Sequence, residues 1–255
     1  MDLHMDSLDQ HFTLPVTRKV NAGRPFTWLK RAWQDLLSHP APSLAYGVLT
    51  AVTGWIVLAI ASHFTYLFTF SITGYLLLAP LCAAGIYELT SEREEGRPTS
   101  FAQSIRDLMK NIGQLAFFGV ILGMIAIGWE RVSAILFALF YGGDAVTMDG
   151  FLQALVGEYA GFTIAWLIGG FLLSCVVFAL TAISIPMLAD REVDVVTAMM
   201  TSLRAVLENL PAMLLWAAII VALTVIGFAT FLIGFVVLFP LLGHATWIAY
   251  KDLVE

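Results

Sequence analysis

Five stretches of the chain contain no Asp, Glu, Lys or Arg at all: Ser43–Ser62, Thr65–Tyr87, Gly113–Gly128, Tyr159–Pro186 and Pro211–Tyr250. A helix rises about 1.5 Å per residue and a bilayer's hydrocarbon core is about 30 Å thick, so one crossing takes about twenty apolar residues. The last stretch is twice that length and predicts two crossings joined by a tight turn around Gly227–Gly234. The pattern therefore predicts an all-α, polytopic membrane protein with six transmembrane helices, near residues 43–62, 65–87, 113–128, 159–186, 211–228 and 231–250. The third can extend to Tyr141, and residues 129–158 can hold an extra interfacial or re-entrant helix.

Ahead of the first, third and fifth spans the pattern changes to period 3.6. Trp28, Leu29, Ala32, Trp33, Leu36 and Leu37 oppose Lys30, Arg31, Gln34 and Asp35. Phe101, Ile105, Leu108 and Met109 oppose Arg106, Asp107 and Lys110, and Val196, Met199, Leu203 and Val206 oppose Arg204 and Glu208. Such helices lie in the headgroup plane with their apolar side down. The second span of each pair carries a proline, Pro80, Pro186 or Pro240. Proline removes a backbone donor and bends a helix, so these positions are candidate hinges or vestibule walls. The reading is an internal repeat: three tandem hairpins, each preceded by an amphipathic in-plane cytoplasmic helix, all running in one direction.

Charge sets the orientation. Twelve of the thirteen Lys and Arg residues precede span one, fall between spans two and three or four and five, or follow span six; the exception is Arg131. The positive-inside rule places both termini in the cytoplasm, and the net charge of −6 does not oppose this because the rule counts only Lys and Arg. With 59% apolar and 13% charged residues, and a mean hydropathy of +0.85, the chain is too poor in charge for a water-soluble domain of this size. Residues 1–22 read as a disordered cytoplasmic tail without the apolar core of a signal peptide, and residues 23–255 as a single six-span domain. Cys82 and Cys175 both lie in spans and read as small packing residues.

Small residues recur every fourth position at Gly157, Gly161, Ala165 and Gly169, and again at Gly119 and Gly123. In lipid, close backbone approach at such positions drives helix association, so both sets are expected helix-packing seams, within the bundle or in a homodimer. Ionisable groups at depth are scarce. His244, four residues after Pro240, is the first candidate; Glu130, Arg131, Glu158, His63 and Glu88 fall near span ends. Asp190, Arg191, Glu192 and Asp194 follow the fourth span, where Asp190 or Asp194 suits an N-cap and the group forms a candidate interaction patch.

No cofactor, metal site or nucleic-acid partner is expected. Of five histidines only His39 and His244 can share a depth, and no Walker, nucleophile-elbow, HExxH or CxxC motif is present. No enzyme activity is expected, since no paired acid and base can be placed. Two functions fit the inventory: an accessory, assembly or scaffold component working through lateral contacts with membrane-protein partners, or a small-solute permease or channel lined by spans two, four and six.

The stretches PFTWLKRAWQDLLSHPAPSLAYG from Pro25, SIPMLADREVDVVTAMMTSLRAVLENLPAMLLW from Ser184 and FPLLGHATWIAYKDLV from Phe239 carry a resemblance that runs from Arg18 to the end of the chain. They resemble the family of predicted bacterial integral membrane proteins known as domain of unknown function 2189. That resemblance implies a bacterial inner-membrane location and brings no activity or site residues with it. Ser91–Gly157 is the region of least resemblance.

Overall fold

The computed structural model describes residues 14–63, 68–110, 112–141, 157 and 160–255. Among these, the regular elements are helices: α1 (Arg24–Ser38), α2 (Pro40–His63), α3 (Phe68–Cys82), α4 (Ala84–Glu94), α5 (Phe101–Lys110), α6 (Ile112–Tyr141), α7 (Ala160–Thr181), α8 (Ser184–Asp190), α9 (Val195–Glu208), α10 (Leu210–Ala229) and α11 (Phe235–Leu253). Three times a short polar-faced helix hands over after a single residue to a long apolar one: α1 to α2, α5 to α6 and α9 to α10. Pro40 and Pro211 stand in the first turns of α2 and α10, where a missing amide is harmless because the first turn has no intrahelical acceptor for it.

Among the described residues, four stretches are long and apolar enough to cross a bilayer: Pro40–His63, Ile112–Phe140, Ala160–Asp190 and Leu210–Ala229. Only 22 to 39% of each apolar window is buried inside the bundle, and Leu49, Ile56, Val120, Phe171 and Val221 face outward. A contiguous apolar outer surface of this kind calls for lipid as its solvent. Two of the six expected spans do not meet that standard. The second is interrupted: α3 stops after 15 residues, and the chain resumes as the more polar α4. The sixth, α11, carries Lys251 and Asp252 in its last turn and is mostly buried among the other helices. The third is one uninterrupted helix from Ile112 to Tyr141, about 45 Å long, so residues 129–141 continue it. The expected extra element between 142 and 156, and Glu158, lie outside the described residues.

Two of the three span prolines lie beside helix breaks, and the third sits within a continuous helix. Pro80 lies two residues before the end of α3, Pro186 is the third residue of α8, and Pro240 sits inside α11. Between α7 and α8 the break is repaired from outside. The Ile183 amide donates to Ser202 Oγ at 3.1 Å, and that hydroxyl donates to the Ala179 carbonyl at 2.8 Å. A continuous helix would bond Ile183 to Ala179 directly; here a side chain of α9 is inserted into the ladder, a recognised cause of a kink. The turn between α10 and α11 spans Thr230–Gly234, within the expected Gly227–Gly234, and places Phe231 and Leu232 at φ 51° and 68°.

Helix α2 approaches α11 most closely at Gly47, where a Cβ would overlap the carbonyl of Val236. Seven residues on, Gly54 receives Leu232, whose methyl would lie 2.7 Å from an added Cβ. Gly85 makes room in the same way for the Tyr46 ring. The chain ends meet beside this core. Thr17 pairs antiparallel with Val254, the Arg18 amide donates to Leu253 at 2.8 Å and the Glu255 amide to Val16 at 3.0 Å. The tail expected over residues 1–22 is thus tied down from Val16 onward, and residues 1–13 lie outside the described ones.

The two kinds of glycine separate experimentally. Gly47→Ala drives a methyl into backbone that has no rotamer to escape by, and it is expected to destabilise the protein by about 3 kcal/mol or more. Gly123→Ala meets nothing within 4 Å and is expected to be neutral or to stabilise by up to about 1 kcal/mol. Thermal unfolding of both variants in one mild detergent measures the contrast.

Candidate functional site

A cavity of about 220 Å³ lies inside the bundle. Two proline-bearing helices reach it, α3 through Ala79 and Tyr75 and α11 through Phe239, Gly243 and Thr246, and Phe178 and Thr181 at the end of α7 line it just ahead of the break before α8. Trp216, Ile220 and Thr224 of α10 and Thr50 of α2 complete the wall, which contains no charged residue. Its polar groups are hydroxyls. Thr50 donates to Tyr46 O and Thr246 to Leu242 O, so both have spent their protons on their own helices and present acceptor lone pairs. Tyr75 donates to Thr50 O at 3.1 Å. The Thr181 and Thr224 hydroxyls have no hydrogen-bond partner among the described residues.

One end of the bundle is closed by polar contacts. His244, 3% exposed, has both ring nitrogens engaged: Nδ1 with Thr90 Oγ1 at 2.7 Å and Nε2 with Ser43 Oγ at 2.9 Å. Thr90 already donates to Ile86 O, so its oxygen accepts and Nδ1 carries the proton; Nε2 then accepts from Ser43. The histidine therefore clasps α2, α4 and α11 together. Ser43 is 2% exposed and the pair is enclosed, which suits a clasp better than a reacting centre. Beside it, Tyr46 donates to Ser104, whose own proton goes to Phe101 O, and this fixes α5 against α2.

Asp190 and Arg191 are drawn inward as well. Asp190 accepts from Tyr250 at 2.6 Å and from Lys251 at 2.7 Å, while Arg191 donates to the Tyr250 hydroxyl at 2.7 Å and to the Glu255 carbonyl at 2.5 Å. The expected interaction patch is in large part an internal tie between α8 and α11. Asp194 is the N-cap of α9, accepting from the Thr197 amide at 2.9 Å, so of the two aspartates named for that role Asp194 fills it.

The small-residue seams meet side chains. Gly161 faces Phe140, Gly169 faces Trp129 and Gly119 faces Leu81; Gly123 is open, Gly157 lies exposed in a turn and Ala165 is half-buried. Cys82 and Cys175 are exposed on the bundle surface. His39 is exposed and bonded to Ser38, apart from the His244 clasp, and no group of three metal-ligating side chains occurs among the described residues.

Sequence reasoning overlooked Asp252, which accepts from Arg24 at 2.6 and 3.0 Å and from Trp28 at 2.7 Å, binding α1 to α11. It also overlooked Asn209. That side chain accepts from the Val20 amide at 2.8 Å and donates to Arg18 O and Ala205 O at 3.0 Å, holding the N-terminal segment. Its position two residues before Pro211 was the available signal for a junction.

Between α4 and α5 lie three buried carboxylates. Asp107 is held below its ordinary range by hydrogen bonds from Lys110 and Gln103, with Arg97 nearby. Glu92 is fully buried; one oxygen accepts from the Ser100 amide at 3.4 Å and the other has no partner, and burial raises its pKa. Glu88 is pushed up to about 7, first by burial and then by Asp107, Glu92 and Asp190, with Arg97 opposing. A carboxyl raised from 4.5 in the unfolded chain to about 7 binds more protons when folded across that window, so stability falls as pH rises from about 4.5 to 7 and levels off above. Glu88→Gln is expected to flatten this dependence and to raise the melting temperature above pH 7 by on the order of 5 °C. Melting curves from pH 4.5 to 8 measure it.

The geometry is that of a membrane-embedded bundle closed at one end and hollow further in, and comparison with known proteins agrees with the first part. No curated protein and no solved structure matches the chain. One family model does, over residues 67–190, which takes in the region of least resemblance and, of the three stretches that carried the resemblance, only Ser184–Asp190. Residues 67–190 of this chain belong to the predicted integral membrane proteins of domain of unknown function 2189.

Proposed function

We propose that the chain is a six-span bacterial inner-membrane protein with both termini in the cytoplasm, and that it takes up and passes a small uncharged molecule between its proline-bearing spans. The observation that carries this reading is the cavity: residues from each of the three proline-bearing spans wall it, the fourth span through Phe178 and Thr181 ahead of Pro186, and none of its lining residues is charged. A path for an uncharged solute needs few charges, in keeping with a chain so poor in buried ionisable groups. On this reading α3 with the first turn of α4, as far as Tyr87, is the second span and α11 the sixth.

The tandem repeat is part of the proposal and draws support from register. Ala32, Ser104 and Ser202 each precede the junction residue of their unit, His39, Asn111 and Asn209, by seven positions, and each is fully buried. Equivalent positions in three short helices thus point into the bundle and leave apolar stripes outside, such as Phe26, Trp33 and Leu37, or Val196, Met200 and Leu207. Those stripes suit the headgroup plane of a cytoplasmic leaflet. They are also the observation that favours the second reading, an accessory or scaffold protein meeting membrane partners side on.

Native mass spectrometry after extraction in mild detergent separates the two. One small molecule retained per chain, without a protein partner, is the expected result; a stoichiometric partner bound to a chain with an empty cavity would sink the permease reading. Reporter fusions at Arg97 and Arg191 are expected inside the cell, and a fusion at Tyr66 outside.

A further inference from the structure

The cavity has an opening direction and a polar address. Helices α7 and α10 flank it without packing closely against one another, although each packs well elsewhere in the bundle. Facing each other across that gap are Phe178 and Thr181 from α7 and Ile220 and Thr224 from α10. On either side of the gap the outer surface is apolar, with Phe171, Leu172 and Val221 more than half exposed. A molecule entering here comes from the lipid phase. Thr181, itself buried, and Thr224 line the cavity with hydroxyls that have no hydrogen-bond partner among the described residues, and an unsatisfied hydroxyl in apolar surroundings is unfavourable by roughly 1–3 kcal/mol. The Thr50 oxygen has only lone pairs to offer, and that of Thr246 is also engaged by the Tyr87 hydroxyl.

We infer that the cavity's ligand is an uncharged amphiphile of on the order of ten non-hydrogen atoms, a chain or ring ending in a hydroxyl, which enters sideways from the bilayer between α7 and α10 and hydrogen-bonds Thr181 and Thr224. The size follows from a cavity somewhat larger than one that holds a benzene ring. A hydroxyl both donates and accepts, which matches two free threonine hydroxyls and two spent ones. An anion or cation finds no countercharge in the wall. The inference rests on the permease reading's cavity and adds the chemistry of what fills it.

The test uses the full chain in lipid nanodiscs with two photoreactive probes, a diazirine-bearing decanol and the matching diazirine-bearing decane, and maps labelled peptides by mass spectrometry. Labelling by the alkanol is expected to concentrate on 178–182 and 220–224. Excess decanol should compete it away and excess decanoate should not. In the isosteric double variant Thr181→Val/Thr224→Val, alkanol labelling is expected to fall at least fivefold while alkane labelling is unchanged. Alkanol and alkane labelling the cavity alike, with the double variant indifferent, would overturn the hydroxyl assignment and leave the cavity reading standing. Labelling spread evenly over the lipid-facing residues of all helices would overturn both. The melting temperature of the double variant is checked first; should it drop, Ala79→Leu, which enlarges a cavity-lining side chain of α3, replaces it and is expected to abolish alkanol labelling at both segments.

Discussion

In hydrocarbon a backbone amide or carbonyl released from a helix has no water to turn to, and the interior of this protein is arranged around that requirement. The clearest instance is the Ser202 hydroxyl standing between the Ile183 amide and the Ala179 carbonyl. Without it the helix that begins at Ala160 would have to run straight through or leave two polar groups bare. With it the helix turns at Thr181, and the cavity opens beside the turn. Thr230 plays a similar part at the α10–α11 turn, donating to Ile226 and accepting from the Gly234 amide at 3.0 Å. At both of these breaks a hydroxyl makes the interruption tolerable.

The second organising element is a polar layer at one end. Asp252 with Arg24 and Trp28, Asp190 with Tyr250 and Lys251, Arg93 with Asp35, and Trp247 with Glu94 fasten the short helices to α4, α8 and α11. Most of these groups are partly shielded, and they act together, which gives them more weight than isolated surface pairs have. His244 closes the layer on the cavity side. A rigid floor beneath a hollow, unevenly packed upper bundle is a workable plan for holding a small molecule.

Much of the plan was legible in the chain. Charge-free stretches located the long helices, and period 3.6 located α1, α5 and α9, because lipid and interface impose those patterns directly. The Gly227–Gly234 turn and the Asp194 cap followed from local chemistry. What escaped was set by pairings distant in sequence. Gly47 belongs to a run of small residues, Ser43, Gly47 and Ala51, that the sequence reading passed over, and it is the tightest backbone approach described, against Val236. Periodic glycines such as Gly161 and Gly169 received aromatic rings instead, since Phe140 and Trp129 were the neighbours available. Asp190 and Arg191 read as free surface because Tyr250 and Lys251 lie sixty residues away. The cavity itself is a difference between packings, which no single stretch encodes.

The antiparallel bridge between Thr17 and Val254 has a topological consequence. Two segments hydrogen-bonded to each other occupy the same face of the bilayer, so between them the polypeptide must traverse the membrane an even number of times. Parity is thereby fixed by two backbone hydrogen bonds, independently of where any lysine or arginine falls.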